Sequence, residues 1–257
     1  MSWAGKRRLL VGAIGVSLIF FVITLIIVPT VYQSPSCTDH TQNQDEEGID
    51  CGGSCAYLCT ERVQAPAVRF AKAVYPKNNR VDVFAYIDNP NINAAAFDVP
   101  YKITLYAPDQ SVLKVVEGTF NLPPNKSVPL FVSGVFNAPV TGARAFVTID
   151  AAKIRWFKGA RALPVPQADA PKIGGTPDEP RVTATLTNTS VQPETDISVV
   201  AVVYDAQGAV IAATQTYVPV ISPSQSAVVT FTWSRAFSTS PARIEIVPVP
   251  TFERSAP

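Results

Sequence analysis

The chain reads as a mainly β protein carried on one apolar N-terminal helix, with a small disulfide-rich segment between the two. Three observations predict this. Leu9 to Val28 is an uncharged apolar run of 20 residues, about the length a helix needs to cross the hydrocarbon core of a bilayer. All four cysteines lie between Cys37 and Cys59. Beyond residue 60, apolar and polar residues alternate with a period of two, broken by Pro, Asn and Asp turns. The chain holds 23 prolines and only 16% charged residues, which favours many short strands over helices.

The N-terminal run has a direction. Lys6, Arg7 and Arg8 precede it and no basic cluster follows it. The positive-inside rule then puts residues 1–8 in the cytoplasm, the membrane span at 9–28, and everything after it outside the cell membrane. Trp3 and Tyr32 flank the span as interfacial aromatics, and Pro29 is expected to end the helix. A cleaved signal peptide would have a shorter apolar core and a small-x-small cleavage site, and PTVYQSPS offers a poor one. A lipid-modified Cys37 would need an apolar residue three before it, where Ser34 stands. The segment therefore reads as an uncleaved signal anchor of a single-pass protein. The net charge of +1, without a Lys/Arg stripe, gives no footprint for nucleic acid.

Residues 29–62 form the cysteine segment. Cys37, Cys51, Cys55 and Cys59 are an even set in an exported region, so two disulfides are expected, with all three connectivities open. A zinc site is the competing reading, because Cys51, Cys55 and Cys59 recur every four residues. Against it stand the oxidising location, the lack of a CxxC pair and the surrounding acids, which suit a hard cation. Asp39, Asn43, Glu46 and Asp50 recur every three or four residues and are the candidate ligands for Ca²⁺, which takes oxygens from flexible loops. The alternative is a solvated acidic turn.

This segment resembles a short module of bacterial surface and secreted proteins with the pattern C-x-D-G-x-x-N-x-x-E-x-x-x-D-C-G-G-x-C. Cys37, Asp39, Asn43, Glu46, Asp50, Cys51, Gly52, Gly53 and Cys55 match it in register. More loosely it is similar to the small calcium-binding disulfide repeats of extracellular animal proteins. The resemblance implies an extracytoplasmic location and strengthens the calcium reading. His40 departs from it by standing where the module has Gly, which favours positive φ. Cys59 departs by coming one residue late.

The β region divides into residues 63–160 and 161–250, with a tail at 251–257. Val81, Val83, Ala85 and Ile87 alternate with Asp82, Phe84, Tyr86 and Asp88. Val99, Tyr101, Ile103 and Leu105 alternate with Lys102 and Thr104. Val182, Ala184 and Leu186 alternate with threonines. Ile197 to Tyr204, ISVVAVVY, is almost continuously apolar and suits a strand covered on both faces. An internal repeat at an offset of 98–99 residues aligns VFAYIDNP with VTATLTNT, ITLYAPDQSVL with AVVYDAQGAVI, and LPPNKSVPLF with ISPSQSAVVTF. A unit of about 90 residues with some seven strands is the size of an immunoglobulin-like β-sandwich, so two are expected in tandem. The Leu-Tyr–Asp turns also resemble the FxLYD-type sandwich domains of bacterial membrane-anchored proteins. Residues 159–180, with five prolines and three glycines, read as a semi-rigid spacer holding the two domains apart, plus a first short strand.

No catalytic constellation appears, so the chain is not read as an enzyme. His40 is the single histidine, in the disulfide loop without a nucleophile. Asp88, Asp98, Asp109 and Asp205 read as loop and turn residues. Arg155-Trp156-Phe157 reads as core or interdomain packing, and the glycosylation triplets at Asn125 and Asn188 as chance. The expectation is a non-catalytic, membrane-anchored extracytoplasmic protein that binds a protein or an envelope polymer through its β domains. The alternative is a structural subunit of a cell-envelope secretion or pilus-like assembly.

Overall fold

The computed structural model describes residues 3–31, 36–43, 45–77 and 79–254. Residues 1–57 and 58–257 form two separate compact units. In the first, helix α1 spans Trp3–Val31. Its segment Leu9–Val28 is long and apolar enough to cross a membrane, and none of it is buried by the protein; Phe20 is 72% exposed. The helix does not stop at Pro29 but runs to Val31. A proline in the last turn removes one N–H from the ladder, too little to end a helix already nucleated by the long apolar run.

The second unit is built from antiparallel strands. In chain order these are β1 (Ala67–Lys77), β2 (Arg80–Asp88), β3 (Ala94–Tyr106), β4 (Val112–Leu122), β5 (Ser127–Phe136), β6 (Arg144–Ile149) and β7 (Phe157–Lys158). They are followed by β8 (Ala160–Ala162), β9 (Gln167–Ala168), β10 (Lys172–Gly175), β11 (Pro180–Thr187) and β12 (Glu194–Tyr204). The last four are β13 (Val210–Ile221), β14 (Ser226–Thr232), β15 (Arg243–Pro248) and β16 (Phe252–Arg254). One half of the unit holds a β1-β2-β5 sheet and a β4-β3-β6 sheet, with β7 also paired to β3. The other holds β10-β11-β14, with β9 on β11, and β13-β12-β15.

Each half encloses an apolar core between its two sheets. In the first, Val81, Val83, Ala85 and Ile87 of β2 face Ile103 and Leu105 of β3, with Leu130 and Trp156. In the second, Val182, Ala184 and Leu186 face Val199, Ala201 and Val203, with Phe231 and Trp233. The same corner closes both cores. Asn89 is 3% exposed and Asn188 0%. Asn89 Nδ2 donates to the carbonyls of Ala94 and Pro123, and Asn188 Nδ2 to those of Gln192 and Ile221, all at 2.8–2.9 Å. Each Oδ1 accepts from the amide two residues on, Asn91 or Ser190. The strand-ending asparagines of the repeat thus satisfy buried backbone groups. Because its Nδ2 makes both of these bonds, Asn188 in the folded chain is closed to glycosylation.

The spacer reading of residues 159–180 does not hold. β9 and β10 pair with β11, and β8 pairs with β16. The two halves share a third core instead. Val74, Phe84 and Tyr86 of the first half pack with Val200, Val202, Tyr204, Val210 and Ala213 of the second. Phe84 and Tyr86, which alternate with the core residues of β2, therefore lie in an interface, and Phe84 is 0% exposed. ISVVAVVY is covered on both faces, alternate residues entering different cores. From Val249 to Arg254 the chain is held in place: Phe252, 6% exposed, stacks on Phe97 at 4.5 Å.

Asp82, fully buried, is paired by Arg80 at 2.6 and 2.9 Å and accepts the Gly134 amide at 2.7 Å, which offsets the cost of burying its charge. Phe84→Ala should cost about 3–5 kcal/mol and lower the melting temperature by roughly 10 °C, because a cavity opens where both halves meet. Calorimetry of the detergent-solubilised chain is expected to show one transition for the two halves, before and after the substitution. Two separated transitions in the wild type would show that the third core does not couple them.

Candidate functional site

The cysteine segment is folded by its turns. Cys37 and Cys55 form a disulfide. Cys51 and Cys59 are oxidised as well, and no cysteine is free. Closing a loop with a sequence separation of 18 contributes about 3 kcal/mol in the chain-entropy account. With the sulfurs in disulfides, no thiolate is left for zinc. Gly52 and Gly53 are required by shape: both have positive φ, and a Cβ at Gly53 would lie 1.9 Å from the Asp45 carbonyl oxygen. His40, which replaces the glycine of the module it resembles, does adopt a left-handed conformation at φ +60°. Its amide donates to Asp50 Oδ1 at 3.2 Å, and its Nδ1 lies 3.1 Å from Asp50 Oδ2.

The four candidate calcium ligands have distinct roles. Asp50 also accepts the Asp39 amide at 3.0 Å, which ties it to the same turn. Asp39 Oδ1 accepts the Thr41 hydroxyl at 2.7 Å and the Thr41 amide at 3.0 Å; the hydroxyl bond is the main cause of its pKa lying below the usual aspartate value. Asn43 joins two of the acids: its Nδ2 donates to Asp39 Oδ2 at 2.8 Å, and its backbone amide to Glu46 Oε2 at 3.2 Å. Asn43 Oδ1 is buried without a donor. Glu46 is 5% exposed, with Oε1 3.1 Å from Cys55 Sγ, a disulfide sulfur that has no proton to donate. Among the described residues, Cys37, Glu46 and Cys55 form a cluster of potential ligand atoms, but two of the three are bridged. Asp39, Asn43, Glu46 and Asp50 all offer the oxygens that a hard cation takes, with Asp39 and Asp50 each already holding backbone amides of the loop.

Three of the acids read as loop residues hold nearby groups. Asp109 holds the amide and hydroxyl of Ser111, Asp205 the amides of Gln207 and Ala209, and Asp88 the Arg69 guanidinium. Trp156 and Phe157 are buried, as packing requires.

A second site has no counterpart in the sequence reading. A cleft of about 480 Å³ opens between the start of β12 and the segment 161–166, with Val249, Thr251 and Glu253 beside it. Glu194 lines it, is 8% exposed, and has both carboxylate oxygens shut from water without a hydrogen-bond partner. Desolvation raises its pKa above the usual glutamate value. Asp196 and the Arg161–Glu253 ion pair, 2.9 Å apart, complete the charged lining. The repeat held a clue. Glu194 pairs with Ile221 as Ala96 pairs with Leu122, so an acid occupies a slot that is buried and apolar in the first half.

No family model matches the chain, and no curated protein matches it. Among solved structures, that of a β-glucuronidase from glycoside hydrolase family 2 aligns over 79% of this chain at 9% identity, with a TM-score of 0.21. The chain spans 25% of that structure, and a likeness of this size carries no argument about fold or activity.

Glu194→Gln tests the unpartnered acid. A raised pKa means the folded state favours the neutral carboxyl. The associated stability is complete below the unfolded value, near pH 4, and is lost as pH rises through the folded one. The variant should therefore exceed wild type by about 1 kcal/mol at pH 8, or roughly 2–4 °C in melting temperature, and lose that advantage at pH 4. Thermal melts of both chains across this range measure it.

Proposed function

We propose that the chain is a single-pass, membrane-anchored protein whose oxidised module and β region lie outside the cytoplasm, and that its role is non-catalytic binding of a protein or an envelope polymer. One observation carries this reading: a helix whose apolar side chains the protein leaves bare is followed at once by a segment in which every cysteine is oxidised. Disulfides persist in oxidising compartments, and Lys6, Arg7 and Arg8 before the span favour an N-terminus on the reducing side. We read the two halves as copies of one immunoglobulin-like sandwich, supported by the matching strand orders and the matching asparagine corners. Their loops and edges suit recognition. A structural subunit of a secretion or pilus-like assembly is the second reading. It is favoured by Gly12, Ala13 and Ser17, which share one shallow groove of the helix where another helix can approach closely.

Protease added to intact cells, or to spheroplasts where an outer membrane intervenes, should remove the β region and leave the span with its cytoplasmic end. Full protection would overturn the topology. Retention in a large complex through mild detergent extraction would select the second reading over an independent binder.

Calcium belongs to this reading as a ligand of Asp39, Asn43, Glu46 and Asp50, supported by the buried Asn43 Oδ1 that lacks a donor. Its task there would be structural, neutralising the acids of a small stapled loop. Calorimetric titration of the oxidised full-length chain with Ca²⁺ should give heat and raise the melting temperature, and Asn43→Ala should abolish both. No heat and no shift would end the calcium assignment.

A further inference from the structure

The main sheets of the β unit are stacked, and the stack ends differently on its two sides. The apolar cores place them in the order β4-β3-β6, β1-β2-β5, β13-β12-β15, β10-β11-β14, with the shared core between the middle two. The contact between the halves joins unlike faces: the outer face of β1-β2-β5 lies on the outer face of β13-β12-β15. By the repeat, each of these faces has a counterpart at one end of the stack. The end at β10-β11-β14 is polar. Thr183 and Thr185 stand where the first half has Phe84 and Tyr86, and Thr230 pairs with Thr183 as Phe131 pairs with Phe84, with the exposed Val228 among them. A polar outer face closes a stack of repeats, so further copies have no aromatic face on which to add head to tail.

The end at β4-β3-β6 is not finished in this way. Phe146 is 57%, Val112 56% and Val115 41% exposed, and Tyr106 packs edge-to-face on Phe146 at 5.5 Å. Tyr106, Val112 and Val115 hold the repeat positions of Tyr204, Val210 and Ala213, which are buried in the core between the halves. Arg144 pairs with Tyr106 as Arg243 pairs with Tyr204, whose ring lies 3.9 Å from that guanidinium. The same kind of face is thus covered in the second half and bare in the first. The bare one differs on β6, where Phe146 pairs with Thr104 while Glu245 pairs with Val202. It therefore carries an aromatic knob on β6 and, level with it across Thr104, an aliphatic seat at Val115 on β4.

We propose that a second copy of the chain covers this face, the two β4-β3-β6 sheets packing on one another about a two-fold axis parallel to their strands. That axis carries β4 of one copy over β6 of the other and keeps every level of the sheet in place. Phe146 of each copy then lies on the partner's Val115, and Thr104 meets the partner's Thr104. Tyr106 meets the partner's Tyr106, repeating the contact of Tyr86 with Tyr204 in the shared core. Lys102 falls between its own Glu117, its cross-strand neighbour, and the partner's Glu117. The face is complementary to itself, whereas a head-to-tail contact would set Tyr106 against threonines. A two-fold interface uses one patch twice and closes, so the assembly stops at a dimer. A patch three strands wide does not exceed the roughly 800 Å² per partner of a standard interface, which sets a modest affinity. This inference goes beyond the binding role proposed above and rests on neither that role nor the membrane topology.

The test uses the full-length chain in detergent micelles. Thr104→Cys is treated with a bismaleimide linker of roughly 8–10 Å, close to the spacing of packed sheets, and Thr185→Cys on the polar end face is the control. The native cysteines are all in disulfides. Sedimentation equilibrium in density-matched detergent should give a dimer with a dissociation constant of about 1–100 μM. The cross-linked yield at Thr104→Cys should be at least about fivefold that at Thr185→Cys, as a contact through one face requires. Phe146→Glu, at a side chain already more than half exposed, should keep the melting temperature within about 2 °C. It should weaken the dimer at least about tenfold and remove the cross-link at Thr104→Cys, and Val115→Arg on the other strand should do the same. A dimer held by helix α1 alone would survive both substitutions and cross-link equally at the two positions, which would overturn the proposal. A chain that stays monomeric up to about 100 μM, or one that cross-links through Thr185→Cys instead, would overturn it as well.

Discussion

The structure depends on burying both faces of two strands. β2 and β12 each send one set of side chains into the core of their own half, and the opposite set into the core between the halves. Fully burying a Val or Phe side chain contributes about 1.5–3 kcal/mol, so the residues of the shared core amount to a substantial part of the stability of a marginal fold. Phe84 packs edge-to-face on Phe70 and Tyr86, at 5.8 and 5.1 Å, and this fixes the contact geometry as well as the area. The Pro-rich segment between the halves then has no spacer function. It is held as short strands on an assembly whose orientation the third core already sets.

Edges follow from the same constraint. A strand committed to two cores cannot shift register without moving every side chain into the wrong layer, so its ends must be finished by what the chain has left over. At β3 the finishing piece is β7, with Phe157 stacked on Phe97 at 5.1 Å. At β12 the prolines at 248 and 250 send the chain elsewhere, and an acid stands where the first half has alanine. The two halves thus finish this end differently. In the second, the Glu194 carboxylate is buried without a hydrogen-bond partner.

The cysteine segment works on another principle. It is too short for a core, and its order comes from the disulfides, the left-handed residues His40, Asp50, Gly52 and Gly53, and carboxylates turned onto backbone amides. Asp39 and Asp50 both hold backbone amides in this way, whereas Asn43 keeps a buried oxygen without a donor.

The apolar helix, the even cysteine set, the β periodicity and the repeated strand-ending asparagines are legible along the chain. Each of these is a local property: run length, residue count, alternation, or a side chain bonding nearby backbone. ISVVAVVY was legible as doubly covered because no polar residue interrupts one face after Ser198. Packing of the two halves puts Phe84 and Tyr86 in an interface, and the chain alone could not show it, since an aromatic residue on a half-solvated face and one in a packed layer give the same alternation. Tertiary contacts also set that Cys37 joins Cys55, that Asp50 serves the turn, and that Glu194 lies buried in a cleft. Burial of an acid depends on which distant segments cover it, here 161–166 and 249–253, and no spacing along the chain records their approach.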